Sequence, residues 1–177
     1  MKKALLLLAV LLGCLCAKAQ EQRSPYYFGG DFGLSLGSGG TSISVYPEIG
    51  RRIAPNLYAG IQAGGGYYRN SSYSDFTMGL APHLRYYWFI YKRFGLYGEA
   101  GFSLGFTRRS NWEPLIRSFD IGLRPGIIIP IASGHSLTLQ LGFLGYESDN
   151  FGNGTSNNHW GFRLQGHDIR IGYLMNL

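Results

Sequence analysis

The chain has 177 residues, a length that suits one domain, and 16 basic against 10 acidic side chains give it a formal charge of +6. Its two cysteines, Cys14 and Cys16, lie near the start, so the rest of the chain has neither a disulfide framework nor a thiolate metal site. The 27 glycines disfavour helices, and the scattered basic residues give no support to nucleic-acid binding.

Residues 1–19 have the features of a secretory signal peptide. Lys2 and Lys3 precede an apolar run over residues 4–12, and Ala17-Lys-Ala19 is a typical cleavage site. The apolar run is too short to span a bilayer as a helix.

Cleavage after Ala19 is therefore expected, and it leaves residues 20–177 as the mature domain. That domain has no cysteine, and the loss of three lysines lowers its formal charge from +6 to +3. The Leu-Leu-Gly-Cys sequence that ends at Cys14 resembles a lipoprotein signal, so lipidation of Cys14 stays open as an alternative.

The mature domain divides into eight segments in which apolar and polar residues alternate, the period-two pattern of β-strands. In chain order, the predicted strands cover residues 27–36, 42–50, 57–68, 76–89, 94–106, 118–129, 137–146 and 160–177.

The joints between these strands alternate in length. Short joints are predicted at 51–56, 91–93 and 131–135, and longer polar joints at 69–75, 107–115 and 148–158. The first joint, near 37–41, is short and is the exception. This order predicts an antiparallel up-and-down meander that closes by pairing its last strand with its first, and the long joints become the extracellular loops of an outer-membrane barrel.

The two faces of the strands predict which way the barrel points. One face holds Leu, Ile, Phe, Val and Ala without charge, and the other holds glycine, serine, tyrosine and a few charges. Glycine on a solvated outer face would weaken the strands, whereas glycine inside a narrow barrel leaves room for large neighbours. The sequence thus favours an all-β, eight-stranded transmembrane β-barrel over a soluble barrel such as a lipocalin.

On the seventh segment, Leu137, Leu139, Leu141 and Phe143 are expected on the apolar outer face and Tyr146 on the inner face. Aromatic belts at the two membrane interfaces are expected from the residues near strand ends. These are Tyr26, Tyr67, Tyr68, Tyr86, Trp88, Tyr91, Trp112 and Trp160.

Eight charged residues fall on the inner face, with His83 nearby. They are the acids Asp31, Glu48, Glu99 and Asp120 and the bases Arg85, Arg124, Arg163 and Arg170. Buried charges persist when they are paired and hydrogen-bonded, so we predict an ion-pair network that fills the lumen. A gated ion path or proton relay through the same residues is the alternative.

The closing strand alternates to the last residue of the chain. Its outward row is expected to be Ile169, Ile171, Tyr173, Met175 and Leu177, with Arg170 turned towards the acids inside. Its predicted partner is the strand over residues 27–36.

Three stretches resemble the small outer-membrane β-barrel families, the OmpA transmembrane domain and OmpX, and the porin-family barrels of Bacteroidetes-type bacteria. They are Ala81-Pro-His-Leu-Arg-Tyr-Tyr87, Phe94-Gly-Leu-Tyr-Gly-Glu-Ala-Gly101 and the closing strand. The resemblance implies an integral protein of a Gram-negative outer membrane, with no activity shared across the family. It also implies that the barrel-assembly machinery recognises the closing strand, in which Leu177 replaces the usual final aromatic residue.

The sequence contains no clear motif for catalysis or metal binding. The four histidines, His83, His135, His159 and His167, form no ligand spacing typical of a metal site. His135-Ser136 lacks the His-x-Ser spacing of a lipid A deacylase. We therefore expect no cofactor, no metal and no enzymatic activity, in a protein that is monomeric and acts structurally or through its loops. A narrow channel and a lipid-modifying enzyme are the other candidates.

Overall fold

The computed structural model describes residues 25–37, 40–91, 94–111, 114–151, 155–163 and 170–176. The predicted signal peptide, Trp112 and the closing-strand residues Ile169 and Leu177 lie outside the described residues. No helix in the described part of the chain is long and apolar enough to cross a membrane.

The described residues form ten β-strands. In chain order they are β1 Tyr26–Gly37, β2 Gly40–Ala54, β3 Leu57–Arg69, β4 Ser74–Tyr91, β5 Phe94–Arg109, β6 Ile116–Ala132, β7 His135–Gln140, β8 Phe143–Asn150, β9 Ser156–Arg163 and β10 Arg170–Asn176.

The strands close into an antiparallel barrel, which confirms the predicted fold. Neighbours along the chain pair from β1 to β6, and β1 pairs with β10 from Tyr27 opposite Asn176 to Phe32 opposite Ile171. Both β7 and β8 pair with β6, β9 pairs with β8, and β10 pairs with β7. The ten strands therefore make eight barrel segments, the seventh from β7 and β8 and the eighth from β9 and β10.

The seventh segment contains a bulge that the sequence prediction missed. Gln140 pairs with Gly126, and Leu144 pairs with Leu123, so three residues on this side oppose two on β6. One extra residue reverses which side chains point inward.

The bulge makes two predicted positions wrong. Phe143, expected on the outer face, is buried at 4% exposure. Tyr146, expected inside, pairs with the outward-facing Ile121 and Trp160. Alternation alone could not reveal this, because the phase of a strand after a bulge depends on its partner.

The strands are longer than predicted, and the loops are correspondingly shorter. The joint expected at 148–158 shrinks most, since Ser148 pairs with Asn158 and Asn150 with Ser156. Polar composition led to the long-loop prediction, but backbone pairing holds these residues in the ladder. The opposite end of the barrel has tight turns, in which Asn56 (φ 63°) and Gly134 (φ 74°) adopt the left-handed conformation.

We call the end that holds Tyr26 and Asn176 the terminal end and the opposite end the loop end. Between them the outer face is apolar, as predicted. Its exposed side chains include Phe28, Phe32, Leu34, Ile43, Val45, Ile49, Ile61, Met78, Leu80, Leu84, Leu96, Phe102, Leu104, Ile121, Leu123, Ile129, Leu137, Leu144, Phe162 and Ile171.

The predicted aromatic belts are present in part. Tyr26, Tyr86 and Trp88 are exposed near the terminal end, and Tyr67 and Trp160 near the loop end. Tyr68 lies instead on the inner row, opposite Asp75 and Ser42.

Inward glycines make the space for large side chains within the barrel. A Cβ atom at Gly126 would meet the ring of Tyr97, and one at Gly50 would meet the ring of Tyr27. Both tyrosines are buried, so neither ring has an easy way to move aside.

We predict that Gly126→Ala lowers the free energy of unfolding by about 1–3 kcal/mol, because its methyl group overpacks the Tyr97 ring. The control is Gly79→Ala, where the nearest heavy atom to the new Cβ is 3.4 Å away. Urea unfolding in detergent micelles, followed by tryptophan fluorescence, measures both variants. Equal losses at the two positions would contradict the packing argument.

Candidate functional site in the lumen

Tyrosine rings pack together in the lumen at the terminal end. Centroid distances are 5.7 Å between Tyr27 and Tyr58, 5.1 Å between Tyr58 and Tyr87, and 6.0 Å between Tyr87 and Tyr97. Ile128 and Leu174 complete this buried cluster. We call these six residues the tyrosine plug.

A charged cluster centred on Glu48 lies directly above the plug. Glu48 is 1% exposed, and its Oε1 accepts a hydrogen bond from the Tyr27 hydroxyl at 2.5 Å and lies 3.0 Å from His83 Nε2. Its Oε2 accepts from Gln62 Nε2 and Arg85 Nη2, each at 3.0 Å. Side chains from three other strands, β1, β3 and β4, thus surround this carboxylate of β2.

Arg85 joins Glu48 to a second carboxylate. Its Nη2 donates to Glu99 Oε2 at 2.6 Å and its Nε to the same atom at 3.0 Å, while its Nη1 donates to the Tyr87 hydroxyl at 3.3 Å. Each nitrogen of the guanidinium therefore has an acceptor, as a buried cation requires.

Arg124 extends the cluster towards the loop end. Its Nη1 lies 3.6 Å from Glu99 Oε1, and its Nη2 forms an ion pair with Asp120, which also accepts a hydrogen bond from Ser103. Among the described buried side-chain nitrogen and oxygen atoms, Arg124 Nη1 is the one without a hydrogen bond. Its charge is still balanced by the two carboxylates beside it.

Arg163 has a partner that sequence reasoning missed. It forms an ion pair with Glu147, and its guanidinium lies over the Phe143 ring at 5.7 Å. Glu147 follows directly after the predicted seventh strand, and the bulge between Gln140 and Leu144 gives it the phase that points inward.

Two of the eight predicted lumen charges stand apart from the ion pairs. Asp31 accepts a hydrogen bond from Gln62 Nε2 at 2.9 Å, and Arg170 lies over the Tyr46 ring at 5.4 Å. Within the described residues, neither forms an ion pair with an opposite charge. The structure thus brings Glu48, Arg85, Glu99, Asp120 and Arg124 into one connected group. His83 also belongs to this group, through its contact with Glu48.

The lumen widens above this group into a cavity of about 180 Å³. Its wall on β4 and β5 includes Gly79 and Gly105, and its other wall carries Arg124, Arg163 and Arg170. The inward glycines leave the space, and the arginines pack on aromatic rings across from them. The charged group and the tyrosine plug lie below this cavity, towards the terminal end.

Three residues of the predicted outward row of the closing strand lie within the described residues, and two of them are exposed. Ile171 and Tyr173 are exposed at 61% and 40%, whereas Met175, in the same row, is buried at 5%. Met175 pairs with Phe28 on one side and His135 on the other. Tyr173 also packs against His135, with its hydroxyl 2.5 Å from Nδ1.

Side-chain contacts join neighbouring strands and loops at the loop end. Asp75 and Arg109 lie opposite each other in the β4–β5 ladder, and Asp75 accepts two hydrogen bonds from Arg109, each at 2.9 Å. Arg109 also lies 4.1 Å from the Tyr73 ring centroid, in the loop between β3 and β4. Asn111 Nδ2 donates to the Ser72 carbonyl at 2.6 Å. These contacts connect the loop between β3 and β4 with the start of the loop between β5 and β6.

The lumen charges of the described residues do not form a metal site. Within the described ranges, no three His, Cys, Asp or Glu side chains converge as they would around a metal ion. The charged side chains of the lumen neutralise one another and join β1 to β6 across the barrel. This arrangement suits a structural filler.

Comparison with known proteins finds likeness in fold. No protein-family model and no curated protein matches the chain. The crystal structure of Neisserial surface protein A is similar, with 17% identity, 89% of this chain and 100% of that chain covered, and a TM-score of 0.51. A major outer membrane protein from Thermus thermophilus is 15% identical, with 86% and 99% covered and a TM-score of 0.42.

At this level of identity the likeness to the neisserial protein shows a shared fold, that of the small eight-stranded outer-membrane barrels. It confirms the fold that the sequence resemblance implied.

We predict that Arg85→Gln lowers the free energy of unfolding by about 3–5 kcal/mol, because it leaves the buried Glu48 and Glu99 carboxylates facing each other. The control is Arg109→Gln. Its ion pair with Asp75 has similar geometry, but the Arg109 side chain is 31% exposed, so a loss of about 1 kcal/mol or less is expected. The same urea titration measures both. A larger loss for Arg109→Gln would contradict the assignment of the lumen cluster as the main fastening.

Proposed function

We propose that the chain is an integral protein of a bacterial outer membrane, which acts as a structural barrel and as a surface for interaction through its extracellular loops. The observation that carries this proposal is the inverted distribution of side chains. Charges such as Glu48 and Arg85 are buried, while Phe32, Ile49 and Leu123 are each at least half exposed.

A soluble barrel would not tolerate this distribution. Contiguous exposed apolar patches on soluble proteins rarely exceed a few hundred Å². Here the described outer rows of neighbouring strands are apolar between the strand ends. The hydrocarbon core of a bilayer would cover that surface. A closed barrel is also one of the two architectures that satisfy every backbone hydrogen bond in lipid.

Strand length supports a spanning arrangement. The strands β1 to β6 have 12 to 18 residues, and a tilted strand needs about 9–11 to cross the hydrocarbon core. The additional residues of each strand would extend the barrel wall beyond the bilayer. With the terminal end in the periplasm, these residues and the loops would lie on the extracellular side.

The loops supply the interacting surface of the proposal, over the regions 69–75, 107–115 and 148–158. Asn111 donates to the Ser72 carbonyl and Arg109 lies over the Tyr73 ring, so the described parts of the first two loops are joined where a partner would meet them. The other partners proposed are the lipid bilayer and, during biogenesis, the barrel-assembly machinery. No catalytic activity is proposed.

A narrow channel is the second candidate, and the cavity below the loop end favours it. Against it stand the tyrosine plug and the Glu48–Arg85–Glu99 cluster, which fill the section below the cavity. An eight-stranded barrel has an interior just wide enough for its own side chains. The proposal therefore takes the lumen as closed.

We predict that Leu123→Arg, near the middle of the outer row of β6, lowers the free energy of unfolding in phosphatidylcholine liposomes by about 2–4 kcal/mol. In a soluble protein the same change at a half-exposed position would stay within about 0.5 kcal/mol. The matched control is Leu115→Arg, an exposed leucine just before β6. Equal stability of the two variants, or recovery of the native protein in the soluble periplasmic fraction, would refute the membrane location.

We also predict that the protein gives no discrete conductance steps in planar bilayers, because the lumen is closed below the cavity. Asp120→Asn and Arg124→Gln should lower stability and leave the recordings silent. Discrete steps in the native protein that change with Arg124→Gln would instead favour the channel.

A further inference from the structure

Acidic residues and arginines are distributed differently on the two faces of the barrel. Every described acidic residue lies on an inner row: Asp31, Glu48, Asp75, Glu99, Asp120, Glu147 and Asp149. The outer rows carry charge only near strand ends, and within the described residues that charge is always arginine. Arg51 lies at the terminal end, and Arg69, Arg108 and Arg117 lie at the loop end.

Arg108 and Arg117 are close to each other. Arg117 pairs with Phe106, which is two residues before Arg108 on β5. The two arginines are therefore diagonal neighbours on adjacent strands, with Cβ atoms about 7–8 Å apart. Two side chains of this length can bring their guanidinium groups to one anion between them.

The surface below this pair is apolar and aromatic. Phe106 is exposed, Leu104 pairs with Phe119, and the rings of Phe102 and Phe119 lie 6.4 Å apart. Phe76, on the other side of β5, pairs with Arg108 and is also exposed. A cationic pair thus lies directly at the upper edge of a surface that suits acyl chains.

From this charge division we propose that Arg108 and Arg117 form a binding site for the phosphate-bearing headgroup of a membrane lipid in the outer leaflet. The lipid's acyl chains would lie against Phe102, Phe106 and Phe119. Guanidinium groups bind phosphate oxygens through paired hydrogen bonds, and no described acid on the outer rows competes for them. Arg69, two strands away on the same rim, adds to the attraction. The inference rests on the proposed membrane location.

The test is native mass spectrometry of the full barrel released from micelles that contain equal amounts of phosphatidylglycerol and phosphatidylcholine. The native protein is expected to retain phosphatidylglycerol in preference. The double variant Arg108→Gln/Arg117→Gln should reduce that preference by about tenfold or more, since each basic residue near the lipid surface contributes about 1 kcal/mol.

Two matched variants separate this site from general charge effects. Arg51→Gln/Arg52→Gln removes the same charge at the terminal end and should keep the preference. Arg108→Lys/Arg117→Lys keeps the charge and should keep most of it. The inference is overturned if the glutamine variant at 108 and 117 retains the preference, if the variant at 51 and 52 loses it equally, or if millimolar inorganic phosphate displaces the lipid.

Flotation with pure phosphatidylcholine vesicles distinguishes a failure of the headgroup site from a failure of the membrane location. Native and variant proteins that float with these vesicles, yet show the same lipid preference, would refute the headgroup site and leave the membrane location standing. Native protein that fails to float would refute the membrane location, and the headgroup site with it.

Discussion

The buried guanidinium of Arg85 is the contact on which the interior depends. It holds Glu48 and Glu99, which reach the lumen from opposite sides of β4, and Glu48 in turn accepts from Tyr27, Gln62 and His83. A narrow barrel whose outer face is apolar between the strand ends must place the polar side chains of that zone inside, where unpaired charges are costly. The cluster around Arg85 pairs these buried charges by bringing together side chains from five consecutive strands, β1 to β5.

The rest of the lumen follows from where this cluster sits. Below it, glycines on neighbouring strands leave room for the rings of the tyrosine plug at the terminal end. Above it, glycines on β4 and β5 face arginines that pack on Tyr46 and Phe143, and the space between them remains as a cavity. The plug towards one end and the cavity towards the other make the interior of the barrel asymmetric.

The sequence predicted the fold and the faces of β1 to β6, because period-two alternation reports the two sides of a strand directly. It could not predict the bulge before Phe143, since one extra residue is visible only against the partner strand. The same limit hid Glu147 as the partner of Arg163. Strand ends were underestimated where Ser148 and Asn158 looked like loop residues but remain paired. Alternation predicted that the lumen charges point inward. It could not predict the contacts of Glu48, because these depend on how four strands are aligned with one another.

The inward charges on separate strands also constrain how the chain can be assembled. Glu99 lies directly opposite Arg85 in the β4–β5 ladder, whereas Glu48, two strands away on β2, reaches Arg85 only when the sheet curves around a common axis. On an open sheet in the proposed bilayer, Glu48 would face hydrocarbon without the arginine, at a cost of several kcal/mol. If the barrel lies in a membrane as proposed, this favours curling of the sheet before or together with its passage into the lipid, with the pairing of β1 and β10 closing the barrel.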